Sequence, residues 1–120
     1  MKTSSDILND LPLTEVSYFI LLSLSPGPRH GYAIMKDVRS ISQGRVVLST
    51  GTLYGALKRM LELGWILRVK DANGSTTGRE RKFYRLSSMG SQILSAELAR
   101  LDSLVAAARL HSDPKPANYT

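Results

Sequence analysis

"STGTLYGALKRM", residues 49–60, is the stretch whose reading decides how this chain folds. Leu53, Leu57, Met60 and Leu61 fall at i, i+4, i+7 and i+8, which is one apolar face of a helix. Ser49 or Thr50 stands where an N-cap belongs, and Gly64 stands where a helix stops on a left-handed residue. Tyr54 and Lys58 form an i, i+4 pair on a neighbouring face, with Arg59 beside Gly55. The spacing therefore predicts a short helix held from behind by its leucines. Its front presents Tyr54, Lys58 and Arg59 on a backbone thinned by Gly51 and Gly55; the alternative for Tyr54 is packing over the second helix with its hydroxyl at the rim.

Upstream, Thr14 reads as an N-cap with Glu15 placed to meet the helix dipole. Val16, Phe19, Ile20, Leu22 and Leu24 then make a helix apolar over most of its circumference, which must sit centrally. "SPGPRHG", residues 25–31, is a breaker cluster and predicts a turn. A second helix follows over about 30–42 and stops at Gln43-Gly44, and residues 46–48 form a short extended piece.

Downstream, "WILRVKD" (65–71) and "RKFYRL" (81–86) alternate like strands. Between them, the polar "ANGSTTGRER" (72–81) is longer than a minimal hairpin turn needs, so an extended hairpin tip, a wing, is expected. Trp65 is expected to plug the junction between the helix that stops at Gly64 and the sheet. Ser87 caps a last helix reaching about residue 110, in which Leu94, Leu98, Leu101, Val105 and Ala108 recur with heptad spacing and Ile93 and Leu104 widen the seam. That apolar load exceeds what one small domain can cover, so a second copy of the chain is expected against it. The predicted class is α+β and mostly helical: a winged helix-turn-helix domain over 11–86, then a dimerisation helix over 87–110. Residues 1–10 and 111–120 are expected to be flexible termini.

At 120 residues the chain suits one domain that can fold without a metal or a disulfide. It has no cysteine, which excludes disulfides, thiolate zinc sites and cysteine nucleophiles. No apolar run reaches membrane-spanning length and the start lacks a signal-peptide core, so the expected location is cytoplasmic. The net charge of +6 is concentrated: from residue 29 to 85 there are twelve Lys/Arg against four Asp/Glu. A basic middle rich in arginine is the footprint of a face that binds a polyanion. Lys58 and Arg59 are expected on phosphates, as are Arg81 and Lys82 of the strand pair, while Arg79 probes the groove. His30 and His111 have no carboxylate or second histidine at motif spacing, and Gly51 with Gly55 is no nucleotide fingerprint. No enzyme activity, metal or cofactor is expected. A winged-helix module whose basic face meets an acidic protein partner is the alternative reading.

Three motifs carry a resemblance. "GPRHGYAI" at 27–34, "LSTGTLYGALKRM" at 48–60 and "RKFYRLSSMG" at 81–90 occur in the order and spacing of the PadR family of bacterial transcriptional regulators, and the chain resembles its short subfamily over about 13–110. The resemblance implies a homodimeric repressor whose two winged domains bind double-stranded DNA at a pseudo-palindromic operator. It implies that the reading helix, from Ser49 and Thr50 onward, approaches DNA with Thr52, Tyr54 and Lys58. Tyr32 would start the supporting helix near the phosphates, Gly78 and Arg79 would lie at the wing tip, and dimerisation would fall on 88–110. It also implies relief by a small-molecule effector, often phenolic or drug-like, acting through the dimer interface. The chain departs from the pattern twice: Gly55 stands where relatives commonly have proline, and no aromatic residue lies between 88 and 110. Stacking of a flat effector between aromatics is therefore not supported.

Overall fold

The structure, a computed structural model, describes Ile7 and residues 9–70 and 82–112. In chain order its elements are α1 (Glu15–Leu24), β1 (Arg29–His30), α2 (Gly31–Ile41), α3 (Thr50–Leu63), β2 (Ile66–Val69), β3 (Phe83–Leu86) and α4 (Ser88–Ser112). This is a mostly helical winged-helix fold with a small antiparallel sheet, as the sequence led us to expect.

Each helix begins where a side chain can satisfy its first free N–H groups. The Thr14 hydroxyl accepts from Ser17 N–H at 3.1 Å, and that of Ser49 accepts from Thr52 N–H at the same distance. At α2 the cap is His30, whose Nδ1 accepts from Ala33 N–H at 3.2 Å. Gly64 ends α3 at φ 79°, a backbone shape that side-chain-bearing residues resist.

α1 packs against α2, α4 and β3, which explains why it is apolar nearly all round. Ile20, Leu21 and Leu24 meet Ile34 and Val38 of α2 and Leu53, Leu57 and Met60 of α3 in one core. Trp65, Ile66, Tyr84, Ile93 and Leu94 close it from the sheet and from the start of α4. Full burial of each such aliphatic side chain contributes about 1.5–3 kcal/mol.

Three features differ from the sequence reading. First, the turn at 25–31 ends in a strand: β1 pairs with β3, Arg29 opposite Tyr84 and His30 opposite Phe83, so the sheet has the order β1-β3-β2. Two residues carry no detectable alternation, and their partner lies far along the chain. Second, the start of the chain is not wholly outside the fold, because Ile7 is buried against the core and accepts from Asp10 N–H at 3.0 Å. Third, α4 continues through His111 and Ser112, past the expected end at residue 110.

Candidate nucleic-acid interface

α3 is fixed from behind. Leu53, Leu57 and Met60 are buried, so the opposite face must project. That face carries Thr50, Gly51, Thr52, Gly55, Lys58 and Arg59, all exposed. Lys58 and Arg59 have no acidic partner among the described residues, so their charges are open to an external anion. Ser49 and Thr52 share a second bond, the Ser49 hydroxyl donating to Thr52 Oγ1 at 2.9 Å, which holds both side chains at the exposed helix start.

Tyr54 is less free than its helical position suggested. It is 42 % exposed, yet its phenol end lies against the backbone of Gly31 at the start of α2. Beside it on α2, Tyr32 is 65 % exposed, and the Lys36 ammonium stands 5.6 Å from its ring centroid. Lys36 was not singled out from the sequence, although its i, i+4 spacing from Tyr32 is the signal that finds it.

On the wing, Lys82 is exposed at the foot of β3; Gly78, Arg79 and Arg81 lie outside the described residues. Arg68 and Arg85 add exposed positive charge on the strands, opposite Tyr84 and Leu67 respectively. The Tyr84 phenol is pushed above its ordinary range, first by burial and then by the neighbouring Tyr54 phenol, with Arg68 acting in the opposite direction. Other arginines are engaged: Arg45 pairs with Glu15, while Arg29 Nε donates to Ser23 O at 2.8 Å and lies 3.7 Å from Asp37. Trp65 is buried at the junction of α3 and β2 as expected, and Ser87 N–H donates to its carbonyl at 3.0 Å.

The expected dimer seam divides in two. Ile93 and Leu94 are buried in the core of their own domain. Leu101 is partly covered, while Leu98, Leu104, Val105 and Ala108 are exposed, and every residue from 102 to 112 is exposed. Glu97, unmarked in the sequence reading, is 2 % exposed at the root of this helix. Its carboxylate accepts from Leu13 N–H at 2.8 Å and from Arg100, whose Nη2 lies at 3.1 Å. The Arg100 hydrogen bond, followed by that from Leu13, holds the Glu97 carboxyl below the usual carboxylate range against the opposing effect of burial.

A model of the transcriptional regulator PadR-like family matches residues 20–96, from the central helix through the first third of α4. This chain belongs to that family. Among solved structures, the PadR-like transcription factor of Bacteroides fragilis is 26 % identical, with a TM-score of 0.65 over 78 % of this chain and 86 % of that one. Bacillus subtilis PadR in complex with operator DNA is also 26 % identical, with a TM-score of 0.63 over 71 % of this chain and 47 % of that one. An uncharacterised 37.1 kDa protein in transposon TN4556 of Streptomyces fradiae is 36 % identical over 94 residues. This PadR-like chain spans about a quarter of that protein's length. Among the described residues, no helix is long and apolar enough to cross a membrane.

Proposed function

We propose that this chain is a sequence-specific, double-stranded-DNA-binding transcriptional regulator, acting as a homodimeric repressor on a pseudo-palindromic operator. The observation that carries the reading is the front of α3: Lys58 and Arg59 are exposed and have no acidic partner among the described residues, on a helix capped at Ser49 and anchored by three buried side chains. A helix of this kind can enter a major groove with its first turns against base edges and its cations against phosphates. Ser49, Thr50, Thr52 and Tyr54 form the leading edge, Tyr32 with Lys36 stands on the supporting helix, and Lys82, together with Gly78, Arg79 and Arg81 of the sequence between the strands, completes the proposed contact set. Family membership supports the reading, as does the operator complex of the Bacillus subtilis relative. The exposed Leu98, Leu104, Val105 and Ala108 of α4 supply the surface for the second copy. Two-fold symmetry then sets the reading helices about 34 Å apart, one turn of DNA. Relief of repression by a small molecule at that interface is a separable part of the proposal.

The test is a duplex-DNA titration at two or more salt concentrations. Binding should weaken steeply as salt rises, and Lys58→Ala should reduce the slope of log K against log salt by about one unit. Failure to bind any duplex at low salt would refute DNA binding.

A further inference from the structure

Gly31 opens α2 and is buried. It is not among the glycines at positive φ, so its backbone accepts any L residue. A side chain makes the demand instead. A Cβ at Gly31 would stand 2.9 Å from Tyr54 Cζ and closer still to the Tyr54 hydroxyl oxygen, whereas the next atom, Leu53 Cδ2, lies at an ordinary 3.5 Å. The phenol of Tyr54 therefore rests directly on the first residue of α2. Burial of Tyr84 together with its electrostatic response to Tyr54 agrees with a phenol oxygen turned inward, toward the sheet.

We propose that Gly31 is a positioning residue for DNA reading: through the Tyr54 phenol seated on it, it sets where the start of α3 stands relative to α2. This rests on the DNA-binding function proposed above. The strut joins the two halves of the interface. Tyr32 and Lys36 follow Gly31 on α2, while Ser49, Thr50 and Thr52 precede Tyr54 on α3. A side chain at Gly31 would push Tyr54 outward and change the separation of these two rows without removing a single charge. Tyr54 thus acts at the contact by its ring and by its position, and its hydroxyl serves the strut.

The test uses the full chain and a fluorescein-labelled duplex recovered by the unaltered chain from random-sequence DNA. Gly31→Ala should weaken binding about tenfold, the scale of coupling between contacting residues, with the salt slope unchanged. Tyr54→Phe should lose less affinity than Tyr54→Ala, because the ring still fills the same place. In a Tyr54→Ala background, adding Gly31→Ala should change nothing further. Parent-like binding by Gly31→Ala, an additive effect in the double variant, or equal losses for Tyr54→Phe and Tyr54→Ala would each overturn the proposal. Should Gly31→Ala fail to fold, the double variant, which lacks the collision, must fold and bind like Tyr54→Ala; its failure also overturns the proposal. An NMR cross-peak between the Gly31 α-protons and the Tyr54 ring is expected in the free chain, and its absence refutes the strut without reference to DNA. A parent chain that binds no duplex refutes the DNA reading, and the positioning role falls with it.

Discussion

Glycine at position 55 is a cost that packing among the described residues does not explain. A Cβ there would meet none of them within 4 Å, and the same holds at Gly51. Glycine inside a helix is less stable than alanine by roughly 0.5–1 kcal/mol, so Gly55→Ala should raise unfolding stability by about that amount in urea. Its DNA affinity should nevertheless fall, because the added methyl stands on the face proposed above to approach the duplex. A rise in stability with unchanged affinity would make the glycine incidental to recognition. Gly31 presents the opposite case, a glycine demanded by a neighbour. The capping bond of His30 was not legible in the sequence, where the residue shows only the lack of a carboxylate or second histidine at motif spacing. Imidazole is an uncommon cap, and β1, which sets the ring, exists only when paired with β3.

At the scale of the element, α4 is held at its root and free beyond it. The Ser87 hydroxyl accepts from Gly90 N–H at 3.0 Å, and a Cβ at Gly90 would collide with the Trp65 carbonyl, so the helix seats backbone against backbone. About two turns on, Glu97 ties α4 to the chain just ahead of α1 through Leu13. Glu97→Gln should cost about 1.5–3 kcal/mol in urea unfolding, the usual worth of hydrogen bonds to a charged group. The folded carboxyl titrates below its unfolded value of about 4.3, so its contribution is fully present above that pH. It is lost as the pH falls through the folded value. The parent should therefore lose more stability than Glu97→Gln as the pH falls below about 4.3. Parallel profiles for the two would show that the carboxylate does not sense this pair.

For the whole molecule, the decisive surface is the exposed end of α4. Leu98, Leu104 and Val105 present apolar area that the winged domain does not reach, and water is a poor partner for it. Leu104→Glu should convert a dimer to a monomer by light scattering while the near-ultraviolet signal of the buried Trp65 persists. Operator binding should fall by at least 10²-fold, because avidity between two half-sites is lost. A Leu104→Glu chain that remained dimeric would move the interface elsewhere. Joining Ile93 and Leu94 to the same seam was a natural reading of the heptad, since periodicity reports which residues are apolar and not which body covers them. The structure assigns these two to the core of their own domain.

The elements of this protein were legible because their causes are local. Apolar spacing marks the buried faces of α1 and α3, hydroxyl caps mark where α1, α3 and α4 begin, and Gly64 marks where α3 ends. The candidate reading row on α3 was legible for the same reason: once its leucines face inward, Lys58 and Arg59 must face out. Tertiary structure alone decided the rest. The third strand pairs residues 29 and 30 with 84 and 83, and Glu97 reaches Leu13 across 84 positions. The phenol of Tyr54 settles on Gly31 of the preceding helix. Each of these contacts joins groups with no regular spacing between them, so no periodicity announces them; they exist because packing the core brings distant backbone together.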